Sequence, residues 1–250
     1  MAGNARTAGE TVTARVLAVL RAFDVEHRTL TLSEIARRAG LPVATAHRLV
    51  GELAGGGALQ RTASGKYVVG RLMWDLGLLA PAQSGLREIA SPFLHDIYGA
   101  TLATVHLAVR DGTQALYLAR LSGNQSVPVV STVGSRLPLS TTAVGKALLA
   151  HAPGEVQREV FAHLPRVTAY SIVQPGRMAA ELERVRQQGY AQTSEEMSLG
   201  ACSVAVPVFG PDARVVAAVG IVVPSLKRDK NRLVAALQVA ARGIGRTVSG

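Results

Sequence analysis

The sequence predicts an α+β chain in two parts, and three features of its 250 residues carry that prediction. Two short apolar-periodic segments, around Leu32 to Ala39 and Val43 to Leu53, meet at Gly40-Leu41-Pro42. Two strand-like runs follow at once, on either side of Ala63-Ser64-Gly65. From Ser84 onward helical and strand patterns alternate, which suits helices packed on a mainly antiparallel sheet.

In chain order, the first helix is predicted from about Thr13 to Glu26, with Val12, Val16, Val19, Leu20 and Phe23 on one apolar face. Thr31 or Ser33 can cap a second helix, and Glu34 places a negative charge in its first turn. Leu32, Ile35, Ala36 and Ala39 form its buried stripe, and Gly40 suits the left-handed position after its end. Pro42 fits the first turn of a third helix, where a missing N–H costs nothing. There Ala46, Leu49, Val50 and Leu53 face inward, so Val43, Ala44, Thr45, His47 and Arg48 point out. Two helices on a short turn, the second exposing small, polar and basic groups, describe a helix-turn-helix whose outer face suits a DNA major groove. "ALQR" and "KYVV" then form a hairpin wing, with Arg61 and Lys66 placed for phosphates.

Charge is focused on the same region. Residues 37 to 71 carry Arg37, Arg38, Arg48, Arg61, Lys66 and Arg71 against one acid, Glu52, while the whole chain is +10. Arg38 joins the candidate DNA contacts on that ground. The competing reading is a packed helical hairpin with an ordinary solvated basic surface.

Residues 71–83 begin with a helical stripe, Leu72, Met73, Leu76 and Leu79 with Trp74 alongside, and stop at Pro81. This is a candidate linker and self-association helix between a first domain at 1–70 and a second at 84–250; it could instead belong to the larger core. In the second part a helix near 84–98 precedes strands near 102–109 and 114–120, joined at Asp111-Gly112. A further strand near 126–132 leads into "GSRLPLSTTAVGKALLAHAP", a loop and short helix. Helices near 153–162 and 176–188 follow, then the apolar strands "SVAVPVFG" and "RVVAAVGIVVP" and a last helix from near Asp229.

Composition excludes several classes. At 48% apolar and 18% charged residues the chain is globular rather than disordered. A single cysteine, Cys202, rules out an internal disulfide framework or a Cys-rich zinc site and fits a reducing cytoplasm. "MAGNARTAGETVTARV" lacks the apolar stretch of a signal peptide, and no run approaches the roughly 18 residues of a membrane span. A cytoplasmic protein with no membrane partner is expected. Gly145-Lys146 invites a phosphate-loop reading, but Ser140 stands where that motif needs glycine and Ala147 where it needs Ser or Thr. Cys202 sits in an apolar run as a small hydrophobe, and His106 and His151 have no metal-ligand spacing. Glu195 and Glu196, adjacent on a strand, would face opposite ways. No catalytic residue, metal or cofactor is assigned, and an enzyme is not expected.

Taken together, "LSEIARRAGLPVATAHRLVGEL", "YVVGRLMWDLG", "TVHLAVRDG", "GSRLPLSTTAVGKALLA", "ERVRQQGYAQTSEE" and "GACSVAVPVFG" resemble the IclR family of bacterial transcriptional regulators over nearly the whole chain. The resemblance implies a winged helix-turn-helix, a linker helix and a GAF-like domain that binds a small molecule. It also implies a homodimer or homotetramer that acts as repressor or activator on palindromic or repeated double-stranded operator DNA. The family's effector pocket maps onto "STTAVGKA" and the strands "GACSVAVPVF" and "AAVGIVV", which puts the Ala143 and Val144 amides where an acidic effector is received. Thr193 stands where the family often has an acid, Ser203 where it often has cysteine, and Gly220 and Val222 replace serines of some members. A pocket with fewer polar groups favours a small organic acid with an apolar or aromatic body, lying against Val129, Val204 and Val222. The alternatives are a hydrolase or other enzyme using the same cleft, and a DNA-binding protein without a ligand.

Overall fold

Helices α1 (Val12–Arg21), α2 (Leu32–Arg38) and α3 (Val43–Gly55) pack around Val19, Leu30, Ile35, Leu49, Val50 and Leu59. They belong to the first of two compact units, Met1–Pro81, and the second is Ala82–Gly250. The structure, a computed structural model, describes residues 11–24, 26–78, 84–123 and 126–249. Helix α1 is shorter than its sequence periodicity predicts. The Asp24 carboxylate accepts the amides of Glu26 and His27, at 2.9 and 2.8 Å, and this local turn competes with helix. Thr31, not Ser33, caps α2: its hydroxyl accepts the Glu34 amide while the Glu34 carboxylate accepts the Thr31 amide, a reciprocal capping box. Gly40 takes a left-handed φ of 65°, and Pro42 sits at the N-cap of α3, one place before the helix.

The wing is β1 (Leu59–Arg61) paired antiparallel with β2 (Tyr67–Val69). Leu30 widens it, exchanging two backbone hydrogen bonds with Tyr67 at 3.0 and 2.7 Å. Gly70 closes the wing's base: a Cβ there would lie 2.1 Å from the Gly57 carbonyl oxygen, so only glycine lets the two segments touch. Helix α4 (Arg71–Leu78) follows and exposes Leu72, Trp74 and Leu76. Leu79 and Pro81, expected to complete that helix, lie outside the described residues.

In the second unit the elements run α5 (Ser84–Thr101), β3 (Thr104–Asp111), β4 (Gln114–Leu121), β5 (Arg136–Pro138), α6 (Ala143–Ala150), α7 (Gly154–Ala162), α8 (Pro175–Gln188), β6 (Ala191–Ser194), β7 (Cys202–Phe209), β8 (Val215–Val223) and α9 (Lys230–Ser249). They build one six-stranded antiparallel sheet in the order β5-β4-β3-β8-β7-β6. Strand alternation sorts the side chains between two cores. Val105, Leu107, Val204, Val206, Val219 and Ile221 pack with α5 and α9. Ala108, Ala205 and Ala218 pack with α6 and α8 on the other face. The strand expected near 126–132 is absent. Pro128 has no amide to donate to a ladder, and the third edge segment forms later, at β5, after a turn at Gly134 with φ 85°.

Candidate functional site

Two sites were expected, one in each unit. In the first, Ala46, Leu49 and Val50 of α3 are buried, while Val43, Ala44, His47 and Arg48 are exposed and Thr45 is half-buried. The helix therefore offers one continuous outward face. Arg48 pairs with Glu52 one turn on, at 2.6 Å, but both side chains are more than half exposed. Such a pair is worth little in water and does not hold the guanidinium back from a stronger anion. Arg61 and Lys66 are exposed at the wing's tip, around a turn fixed by Gly65 at φ 79° and by Thr62, whose amide donates to the Lys66 carbonyl at 2.8 Å. Arg38 is placed differently. Its guanidinium donates to the Ala22 carbonyl at 2.6 Å and to Asp24 at 2.5 Å, tying the end of α1 to α2.

In the second unit a cleft lies between the sheet, the start of α6, and the loops around 129–131 and 197–201. Val129, Ala143, Val144, Thr193, Ser203, Gly220 and Val222 line it. Val204 does not: it is fully buried on the opposite face of β7, among the residues under α5 and α9, because neighbours on a strand alternate sides. At the head of α6 the Thr142 hydroxyl accepts the Gly145 amide at 3.1 Å and its carbonyl accepts the Lys146 amide at 2.9 Å. The amides of Ala143 and Val144, at the first two helical positions, have no acceptor within the helix. They carry the positive end of its dipole toward the cleft. Thr193 and Ser203, cross-strand partners on β6 and β7, share a hydrogen bond of 2.6 Å.

The glycines follow from this geometry. A Cβ on Gly145 would lie 2.5 Å from the Leu139 carbonyl oxygen, and one on Gly220 would lie 2.8 Å from a Val144 methyl. Gly145, which failed as part of a phosphate loop, is there so that the helix can start against residue 139.

Sequence reasoning missed several wall residues: His106, Tyr117, Ser131, Thr141, Thr142 and Met197. His106 Nε2 lies 2.8 Å from the Ser131 hydroxyl, and its ring stands edge-on to Tyr117 at 4.9 Å. Burial, with Arg120 adding to it, lowers the His106 pKa to about 3, so the imidazole is neutral. Burial likewise raises the Tyr117 pKa to about 12, with the Thr142 hydroxyl pulling against it. The available signal was the period of two in "TVHLAVRD", which puts His106 on the same sheet face as Ala108.

Lys146 was weighed only as a phosphate-loop residue, and its actual setting was missed. It is fully buried, with Nζ 2.6 Å from Glu196 Oε1, 3.4 Å from the Gln192 carbonyl and 3.7 Å from Glu181. Glu181 also pairs with Arg184. Burial pushes the Glu196 carboxyl up, and Lys146 draws it back. β6 ends at Ser194, so Glu195 and Glu196 are not strand neighbours: Glu195 has φ 57°, and its carboxylate accepts the Gly200 amide at 2.6 Å. A lone lysine within "AVGKALLA" was the available cue, since a buried ammonium needs a partner. Cys202 is half-buried, 3.5 Å from the Ser194 hydroxyl, and His151 packs edge-on to Phe209.

Among the described residues no group of three or more His, Cys, Asp or Glu could hold a metal ion, and no helix is long and apolar enough to cross a membrane. A winged helix-turn-helix unit followed by an α+β unit with its own cleft defines the class of two-part DNA-binding transcriptional regulators. Comparison with known proteins narrows this. Residues 12–63 match the IclR helix-turn-helix domain, and residues 80–248 match the bacterial transcriptional regulator IclR C-terminal domain. The HTH-type transcriptional regulator XynR of Escherichia coli is 30% identical over 83% of this chain and 83% of its own length. The Pca operon regulatory protein of Acinetobacter baylyi is 30% identical, over 87% of this chain and 80% of its own. Among solved structures, an IclR homolog from Microbacterium hydrocarbonoxydans complexed with 4-hydroxybenzoate superposes with a TM-score of 0.91 at 34% identity, covering 95% of this chain and 99% of that one. The chain belongs to the IclR family and is a DNA-binding transcriptional regulator of that type.

Proposed function

We propose that the cleft of the second unit binds a small organic acid with an apolar or aromatic body, and that its occupancy changes affinity for operator DNA. The observation that carries this is the placing of the α6 N-terminus, at Ala143 and Val144, in the wall of a cleft that also presents the apolar side chains of Val129, Leu137 and Val222. Neutral donors at a helix N-terminus stabilise a carboxylate, the Thr193 and Ser203 hydroxyls add to them, and the walls favour carbon over water at about 25 cal/mol per Å² buried. The 4-hydroxybenzoate complex of the Microbacterium hydrocarbonoxydans relative supports an aromatic acid. DNA is engaged through the outward face of α3, with Val43, Ala44, Thr45, His47 and Arg48 toward the bases and Arg61 and Lys66 on phosphates. Arg38 contributes by holding α2 rather than by direct contact. The protein works as a homodimer or homotetramer, and the exposed apolar side chains of α1 (Val12, Leu17) and α4 (Leu72, Trp74, Leu76) support self-association there.

Calorimetry against benzoate, cyclohexanecarboxylate, hexanoate and glyoxylate, followed by operator titration with each binder, tests this reading. At least one ring or chain acid should bind and shift operator affinity by a coupling of about 1–3 kcal/mol. Val222→Asp should abolish that response while ligand-free DNA binding persists. Binding of glyoxylate alone would overturn the assignment of an apolar body.

A further inference from the structure

β6 is the last strand of the sheet, and a second cavity, of about 580 Å³, opens around it. Glu181, Glu196, Ser194 and Cys202 line it, together with Lys227, Arg228 and Lys230 from the connection between β8 and α9. Among the described residues Thr193 alone lines both this cavity and the cleft. The two differ in charge: no carboxylate or cationic side chain is among the described residues of the cleft wall, whereas this cavity has both.

The carboxylates are the buried part. Glu196 gives Oε1 to Lys146 Nζ at 2.6 Å, but its Oε2 is buried and has no hydrogen-bond partner among the described residues. A carboxylate oxygen shut away from water without a donor is costly. Lys146 has only three donors, and its ammonium already faces Glu196 Oε1, the Gln192 carbonyl and Glu181. The missing donor therefore has to come from the cavity, and beside Glu181 and Glu196 a cationic one is favoured. The basic residues are the open part. Lys227 and Arg228 are exposed and form no ion pair among the described residues, and Lys230 lies over the Tyr190 ring at 5.6 Å. That side suits an acid group.

We propose that this cavity is a second ligand site and takes a small zwitterion, an amino acid or aminoalkyl acid. Its ammonium donates to Glu196 Oε2, and its acid group meets Lys227 and Arg228. A ligand with one charge alone satisfies one wall and is repelled by the other.

Calorimetry on the full chain tests this with glycine, 4-aminobutyrate, 6-aminohexanoate, L-lysine and L-glutamate, and with butylamine and butyrate as singly charged controls. At least one amino acid should bind the wild type about 10-fold more tightly than either control. Glu196→Gln keeps an oxygen for Lys146 and should weaken that ligand about 10-fold. The double variant Lys227→Glu with Arg228→Glu changes only exposed positions and should weaken it about 3- to 10-fold. Val222→Asp, in the cleft, should leave its affinity unchanged; melting curves establish that each variant folds. The proposal is overturned if no amino acid of the panel binds the wild type, or if butylamine or butyrate binds as tightly as the best of them. Full affinity in the folded rim variant or in folded Glu196→Gln also overturns it, and loss of binding in folded Val222→Asp would put the ligand in the cleft instead.

Discussion

A methyl of Val144 fills the space that any side chain on Gly220 would need: a Cβ built there lies 2.8 Å from Val144 Cγ1 and 3.1 Å from the Ala205 Cβ. The two positions are therefore complementary, and Gly220 lets α6 sit directly on the sheet. On sequence grounds Gly220 stood for the loss of a serine hydroxyl. The structure gives it a steric role as well, because a serine here would lift the helix whose amides face the cleft.

Gly220→Ser is accordingly expected to destabilise the protein by about 1–3 kcal/mol through overpacking. Val144→Ala on that background should recover a large part of the loss, although Val144→Ala alone is destabilising. Urea unfolding of the two single variants and the double variant measures the coupling. Purely additive effects would show that the two side chains do not compete for this space.

Lys146 and Glu196 support the same helix from below. Breaking a buried pair leaves an uncompensated charge, so Lys146→Met should cost about 3–5 kcal/mol. A double variant, Lys146→Met with Glu196→Gln, should be more stable than Lys146→Met alone. Because Met197, next to Glu196, lines the cleft and accepts a contact from the Thr141 hydroxyl at 3.3 Å, the single variant should also bind carboxylate ligands less tightly. Thermal melts together with calorimetry on the folded fraction check both effects.

Much of this was legible in the sequence, for physical reasons. Gly40, Pro42 and the inward set Ala46, Leu49 and Val50 act through local backbone preference and helical period, which need no knowledge of the rest of the chain. The cleft was legible only through resemblance to a family, and it was read incompletely. Ser131 belongs to a segment that resembled a strand, and its contact with His106 spans 25 residues in sequence. Lys146 meets Glu196 across 50. Val204 was drawn into the cleft by its neighbour Ser203, although strand alternation already placed the two on opposite faces.

His106 gives a pH signature. Its folded pKa is about 3, while an unfolded histidine titrates near 6.5. The folded state therefore binds fewer protons than the unfolded one between these values. Stability from this group is complete above about pH 6.5 and is lost as pH falls toward 3, amounting to roughly 2 kcal/mol by pH 5. Comparing urea unfolding at pH 7 and pH 5 for wild type and His106→Gln isolates the contribution, because the remaining titrating groups are common to both. An equal drop in the two proteins would mean that His106 is protonated without penalty.

The DNA-facing residues should separate by what they touch. Arg48 projects from the middle of the α3 face, and its pair with Glu52 is too exposed to compete with a base edge or phosphate. Arg48→Ala should weaken operator binding by about 1–3 kcal/mol and relax sequence preference if the guanidinium reads a guanine. Arg61→Ala and Lys66→Ala should lower affinity for all sequences alike, each flattening the plot of log affinity against log salt by about one unit of slope. Arg38→Ala should instead act through stability, since its guanidinium holds Ala22 and Asp24, and should leave the salt slope of the folded protein unchanged. Gel-shift titrations of operator and random duplex at several salt concentrations, with melting curves for each variant, distinguish the three behaviours. A reduced salt slope in Arg38→Ala would move that residue into the interface, and an unchanged slope in both wing variants would take the wing out of it.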